Sequence, residues 1–351
     1  MNLEKVVRGL KAVAPINLAE GWDNVGLLAE PSPPHVVGKI LLTNDLTLPV
    51  MEEAVSKRAD MIVSYHPPIF RPLKRLVWSN PKQKIITMAM ENRVAIYSPH
   101  TCCDAIEGGV NDWLAKSLGG LKAKHPVQPK KAGDEFKVSV CFKCDQVPKP
   151  LQNCISRNFS NSTLSTNKLD VNCSSKEIPK LFEIIMKNCC AEKKLSYDDF
   201  YIDNLSPVHD KSSVDGMGRI CLLEKEVPLK TLVNQVKQHV GVNNIRVAVG
   251  EKQTTETPIR SVALCAGSGS SILSGVKTDL YLTGEMSHHE ILAATATGTS
   301  VILCEHNNSE RGYLKEFKEQ ILDQLSKINK EGADSVEIVV SAEDKDPVDI
   351  M

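Results

Sequence analysis

The strongest constraint on this chain is a rhythm. Up to about residue 125, short apolar runs alternate with segments of helical periodicity: "VVGKILLTND", then Val50 to Lys57, "DMIVSYH", then Ile85 to Glu91, "VAIYSPH", then Val110 to Leu118. Strands separated by helices in this way predict a mostly parallel sheet covered by helices. At 351 residues the chain also exceeds the size at which a single core usually stops growing, so more than one domain is expected.

The rhythm breaks at "AKHPVQPKKAGDE" (123–135), whose prolines, glycine and lysines read as a linker. Beyond it the patterns predict a strand at Phe136 to Phe142, a helix at Lys149 to Arg157 and a strand near Leu164. A strand at Lys168 to Cys173, a helix at Lys176 to Cys190 and a strand at Asp198 to Asp203 follow. That order, βαββαβ, is the ferredoxin-like arrangement. From "GMGRICLL" the α/β pattern resumes, with a helix at Leu229 to His239 and strands near Arg246 to Val249, Ser261 to Cys265, Leu280 to Leu282 and Val301 to Cys304. A helix carrying Leu314, Phe317, Ile321 and Leu325 at spacings of three and four, then a strand at Ser335 to Val340, close the pattern. The expected division is an N-terminal α/β half (1–125), an inserted α+β subdomain (126–210) and a C-terminal α/β half (211–351).

Forty-two basic against forty-three acidic residues give a formal charge of −1, which argues against a polyanion held by backbone charge, so no direct nucleic-acid contact is expected. Eleven cysteines, an odd number with two adjacent pairs (Cys102-Cys103, Cys189-Cys190), do not form an extracellular disulfide framework; reduced intracellular thiols are the simpler expectation. The opening "MNLEKVVRGLKAVAP" has helical spacing and a glutamate inside it, so it reads as a domain helix and not as a targeting peptide. No stretch approaches the roughly 20 apolar residues that span a bilayer. A cytoplasmic protein without a membrane partner is the expectation.

Four polar clusters each follow directly on an apolar strand segment: Asp45 after "ILLTN", His66 after "MIVSY", His100 and Asp104 after "VAIYSP", and His306 with Glu310 after "VILCE". Ligands of open α/β sheets gather outside the carboxyl ends of strands, so these residues can converge although they are far apart in the chain. Converging histidines and carboxylates suit a metal, and imidazole with carboxylate suits Zn, Fe or Mn better than Mg or Ca. Pro67 and Pro68 hold His66 extended, as a positioned imidazole requires. His306 and Glu310 are four apart; placed in the first turn of a helix with Ser309 as its cap, both reach one ion. Taken alone, that spacing equally describes a solvated histidine near a helical glutamate. His100 has two readings, a hydrogen-bonded core residue or a partner that orients a ligating Asp104. "YLTGEMSHHEIL" adds Glu285, His288 and His289, with Glu285 a candidate general base or ligand orienter.

"CAGSGSS" is a glycine and serine loop whose free N–H groups can hold an anion, though close backbone packing explains it equally well. "CFKC" (Cys141 to Cys144) has C-x-x-C spacing without a second pair, and a metal or redox role for it is a minor reading.

Taken together, "GWDNVGLL", "LLTNDLT", "SYHPPIF", "YSPHTCCDA", "GGVNDWLA", "GMGR", "VALCAGSGSS", "DLYLTGEMSHHE" and "CEHNNSERGYL" resemble the Ngg-one-interacting-factor-three-like (Nif-three-like) family, in order and nearly end to end. The resemblance implies a two-part α/β fold assembled as a homohexamer, a trimer of dimers, with a dinuclear divalent metal site facing an internal cavity. Some bacterial relatives carry the label GTP cyclohydrolase 1 type 2 homologue. Carried over residue by residue, the family's ligands fall on His66, Asp104, His306 and Glu310. Where the family has His-His-Pro, this chain has Tyr65-His66-Pro67, so Tyr65 replaces the first histidine. A phenol with an ordinary pKa near 10 ligates only once deprotonated, so one of two metal positions is expected to be weakened.

Two functions compete at this level. In the first, a metal held by His66, Asp104, His306 and Glu310 lowers the pKa of bound water for hydrolysis of a nucleotide-like or phosphate-containing substrate, with Glu285 or His288 moving protons. In the second, implied by the resemblance, the chain is a non-catalytic scaffold and transcriptional co-regulator that meets transcription-regulator or signalosome proteins, with a nuclear fraction.

Overall fold

In the computed structural model the described residues are 1–143, 146–159, 161–190, 200–209, 214–329 and 335–348. The chain forms two compact units, residues 1–128 with 214–351, and residues 129–213. Among the described residues no helix is long and apolar enough to cross a membrane.

The larger unit is built on two sheets. In the first, the strands run in the order Gly26–Ala29, Ala95–Ser98, Met61–Ser64, Lys39–Thr43 and Glu337–Val340, and all pairings but the first are parallel. Alternation of side chains across a strand divides this sheet's residues between two cores. Ile40, Leu42, Met61, Val63 and Tyr97 face one cluster, while Leu41, Ile62 and Ile96 face another beneath the helices Leu48–Ser56 and Pro81–Glu91. With both faces covered, these strands read as unbroken apolar runs.

The second sheet runs Arg246–Ala248, Ser300–Leu303, Leu280–Thr283, Pro258–Cys265, Arg219–Pro228, Leu121–His125. Its three central strands are parallel and its outer pairings antiparallel. Val262, Leu264, Leu280, Leu282 and Ile302 join the same core as Ile40 and Val63 of the first sheet. The helices Leu3–Val13 and Leu314–Ile328 share that core through Leu3, Val6, Leu10, Val13, Phe317, Ile321 and Leu325, the positions their spacing predicts.

The linker expectation for 123–135 is corrected: Leu121–His125 is an edge strand paired antiparallel with Arg219–Pro228, and Lys131 opens the strand Lys131–Phe142. Lys124, one of the lysines that suggested a linker, and Lys122 before it lie on an exposed sheet edge, where charge discourages pairing with another chain.

The smaller unit has the strand order Phe200–His209, Lys131–Phe142, Lys168–Ser174, Ser162–Leu164, antiparallel throughout. Numbered along the chain that is 4-1-3-2, the order of a ferredoxin-like βαββαβ unit. The helices Lys149–Asn158 and Ile178–Cys190 bury Leu151, Ile155, Leu181 and Ile185 against Val138, Val140, Leu169 and Val171. Cys144 of the C-x-x-C, and residues 198–199 of the last expected strand, lie outside the described residues.

Candidate metal centre

Strand ends of both sheets of the larger unit deliver polar residues to one place. After the strand Met61–Ser64 the ladder continues for two residues, with Tyr65 N donating to Thr43 O (2.8 Å) and His66 N to Asn44 O (3.0 Å). Pro67 has no N–H and ends it, so His66 is presented from an extended, hydrogen-bonded backbone. His306 follows the strand Ser300–Leu303 through Glu305, whose φ of +66° is unusual for a side chain of that size. Glu305 accepts from Arg246 Nε at 2.8 Å, which holds that turn.

His66, His306 and Glu310 place one ligand atom each within 4.8 Å of one another. His66 Nε2 lies 3.3 Å from His306 Nε2 and 3.5 Å from Glu310 Oε2, and His306 Nε2 lies 3.4 Å from Glu310 Oε1. Two atoms at about 2.0–2.1 Å from a single zinc ion and at a tetrahedral angle stand ~3.3 Å apart, so the spacing fits one ion. The outer ring nitrogens are held by carboxylates: His66 Nδ1 is 3.0 Å from Asp45 Oδ1, and His306 Nδ1 is 2.8 Å from Glu285 Oε1. A carboxylate on Nδ1 fixes both ring orientation and tautomer, leaving Nε2 to ligate. Asn44 Nδ2 donates to Glu310 Oε2 (3.0 Å), and Asn307 Nδ2 donates to Asp45 Oδ2 (2.9 Å).

The electrostatics agree with a cation at this point. Burial pushes the pKa of His66 down, yet Glu310 and Asp45 raise it above its ordinary value. For His306, burial again opposes, while Glu310 and Glu285 raise it to about 10. Glu310 itself, buried at 4 % exposure, is held below the usual range by the two histidines and Asn44 in spite of that burial. A carboxylate this buried needs positive charge beside it, and either protonated imidazoles or a divalent ion would supply it. Space is kept for the cluster by Gly267 (φ +64°): a Cβ there would collide with Glu310 Oε1 and come within 3.0 Å of His306 Nε2.

The chain is similar to known proteins in sequence and in fold. A family profile described as Duf34/NIF3 (NGG1p interacting factor 3) matches residues 1–347. The chain belongs to the Duf34/NIF3 family. It is 42 % identical over 366 residues to NIF3-like protein 1 of Bos taurus and 41 % identical to NIF3-like protein 1 of Homo sapiens, in each case covering 100 % of this chain and 93 % of the relative. Among solved structures it is similar to a Bacillus cereus protein related to NIF3, with a TM-score of 0.69 at 24 % identity over 100 % of this chain and 99 % of that one, a likeness of fold.

Within this NIF3 chain Tyr65, the residue before His66, has a defined partner. Tyr65, buried at 2 % exposure, donates its hydroxyl proton to Asp104 Oδ1. Burial, then Asp104 and Glu310, push its pKa well above the ordinary phenol value. Asp104 is raised to about 6, first by burial, with Glu310 adding to it and His100, Tyr65 and His66 opposing. Asp104 is not in the group of three.

Of the other residues singled out in sequence, Glu285 orients a histidine as one reading had it, and several others are placed differently. His100 does not orient Asp104 through its Nδ1, which lies 2.8 Å from Asp23 Oδ1. It sits at φ +30° at the head of the short helix Thr101–Ala105, which carries Asp104. Glu310 is not in the first turn of an α-helix; it links the 3-10 turns Asn307–Ser309 and Arg311–Tyr313. Ser309 is not a cap for that turn, because its hydroxyl donates to His306 O (2.7 Å) and accepts from Gly267 N (2.8 Å). With Gly269 N donating to Thr283 Oγ1 (3.1 Å), the two glycine N–H groups of the loop are spent on packing. Glu285 reaches His306, whereas His288 is exposed at the start of the helix His288–Ala296 with its ring against His289. Asp23, Asn44, Asn307 and Asp344 were not expected at the site. Their signal is the polar residue directly beyond a strand or glycine turn, visible as "GWDN" and "TND".

Proposed function

We propose that this NIF3-family chain is a metal-dependent hydrolase of phosphate-containing, nucleotide-like substrates, with one tightly held ion on His66, His306 and Glu310. The observation that carries the reading is the convergence of three donor atoms at single-ion spacing, each histidine steadied by its own carboxylate. A bound Zn, Fe or Mn ion would supply Lewis acidity, lowering the pKa of water and polarising a phosphoryl oxygen. The protein's own groups do the rest. Asp45 and Glu285 keep the imidazoles aimed, and Glu285, with its side chain 49 % exposed, is the candidate general base of this reading, whereas His288 has no contact with the cluster, among the described residues, that would give it that role. Asp104 is the carboxylate of a second, weaker position, where Tyr65 holds a proton in place of a ligand.

The test compares phosphate release from a panel of nucleotides and phosphate esters by the wild type, chelator-treated protein and Glu310→Gln. Turnover that follows metal content and drops at least a hundredfold in Glu310→Gln supports the reading; equal turnover by wild type and Glu310→Gln overturns it.

A second reading is favoured by the family's description as an NGG1p interacting factor: a non-catalytic scaffold, assembled as a homohexamer, that acts in the cytoplasm and nucleus as a transcriptional co-regulator through protein contacts. Metal-loaded protein that turns over no substrate, yet keeps its assembly after metal removal, would favour it.

A further inference from the structure

Beside the metal-binding cluster stands an aromatic pair that the folding of the chain does not explain. Trp22 is 61 % exposed and Phe70 is 43 % exposed, with ring centroids 6.0 Å apart and planes at 66°. Apolar rings of this size normally bury most of their surface. Both rings nevertheless sit on fixed backbone. Next to Trp22, the Asp23 side chain is fully buried; it accepts from Thr101 N (3.2 Å) and Thr101 Oγ1 (2.6 Å) and pairs with His100 Nδ1. One residue on, Asn24 Nδ2 donates to Ile69 O, tying the Trp22 loop to the residue before Phe70. Asp23 and Asn24 do the structural work of the loop, and the indole is left outward.

The position of the indole connects it to the chemistry. Trp22 meets His100 edge to face at 6.1 Å, His100 lies 5.2 Å from His66, and His66 lies 5.2 Å from His306, centroid to centroid. Its two aromatic neighbours cross it at 66° and 74°, so among the described residues no ring stacks parallel to it. An exposed ring without a parallel partner offers a stacking surface. Just past Phe70, Arg71, Lys74 and Arg75 are exposed and form no ion pair among the described residues, which adds positive charge for an anionic group.

We infer that Trp22, with Phe70 standing edge-on beside it as the wall of the platform, offers a stacking face for the planar base of a nucleotide whose phosphate faces the His66, His306 and Glu310 cluster. The inference rests on the proposed metal-dependent reading and specifies its substrate class: a ligand that joins a heteroaromatic ring to a phosphate. Stacking on an aromatic side chain is tolerant of base identity, so the platform selects for a base and not for one particular base.

The test is calorimetric titration of the full chain with guanosine monophosphate and with ribose 5-phosphate, for wild type, Trp22→Ala, Phe70→Ala and Trp22→Phe, with metal per chain and sedimentation measured on each. Wild type should bind the monophosphate about tenfold more tightly than the sugar phosphate. Trp22→Ala and Phe70→Ala should lose that preference with ribose 5-phosphate binding and metal content unchanged, and Trp22→Phe should keep most of it. Equal affinities in wild type, no binding of either ligand, or a preference that survives Trp22→Ala would overturn the platform. So would a shift in sedimentation of Trp22→Ala without any change in ligand preference, which would make the pair a contact between copies of the chain. A base preference that is lost in Trp22→Ala although the wild type holds no metal would leave the platform standing and remove the metal-dependent reading.

Discussion

The hydroxyl of Tyr65 donates a hydrogen bond to the carboxylate of Asp104. The residue directly before His66 is thus a proton donor to the neighbouring candidate ligand. A proton and a metal ion compete for the same carboxylate oxygen, and here the proton is held by a buried phenol.

Metal stoichiometry follows from that pair. Wild type should carry about one ion per chain by elemental analysis, Tyr65→His should raise the count toward two, and Asp104→Ala should leave the first ion in place. His66→Ala and Glu310→Ala should remove it. Two ions in wild type would show that Tyr65 ligates as a phenolate.

The carboxylates behind the histidines should tune affinity without supplying a ligand. Asp45→Asn and Glu285→Gln each remove the charge on an Nδ1 while keeping the shape. Competition with a chelator should show affinity lower by about 10–100-fold in each. Unchanged affinity in both would mean that the ring orientations are set by packing.

Arg219 of "GMGR" is a buried clamp. At 1 % exposure its Nε donates to Asp112 Oδ1 (2.7 Å), and its guanidinium also donates to the carbonyls of Gly216 (2.6 Å), Gly218 (2.8 Å) and Ile106 (3.0 Å). Arg219→Ala takes this donor from the three carbonyls and leaves Asp112 with only Gly108 N and Lys124, so denaturant unfolding should show a loss of about 3–5 kcal/mol. A loss below about 1 kcal/mol would show that water or Lys124, 2.9 Å from Asp112, replaces the guanidinium.

Glu53 gives the protein an acid-sensitive tie. Burial alone would raise its pKa; Lys57, Ser341 and the N–H groups of Ala342 and Glu343 instead hold it down at about 2, against an ordinary 4.5. A depressed carboxylate stabilises the fold fully above its unfolded pKa, and that contribution disappears as pH falls from about 4.5 to about 2. Its size is on the order of 3 kcal/mol. Glu53→Gln should therefore be less stable than wild type at pH 7, with the gap closing below pH 3; a gap independent of pH would assign the effect to hydrogen bonding and not to charge.

Much of the fold was legible because its signals are local. Apolar runs such as Met61–Ser64 and the three-and-four spacing of Leu314, Phe317, Ile321 and Leu325 record burial directly in the chain. His66 and His306 were visible for the same reason: each follows a strand whose carboxyl end must face the crevice. Tertiary structure alone decided the pairings between distant segments. Lys122 and Lys124 became strand because Arg219–Pro228, about a hundred residues later, supplies their ladder. Asp45 and Glu285 each reach a histidine 21 residues away, and Tyr65 reaches Asp104 across 39. Sequence by itself determined which residues arrive at the strand ends, because periodicity and proline act on neighbours. Which of them hold one another was left to the packing of two sheets on one core, since a hydrogen bond depends on distance in space and not on distance along the chain.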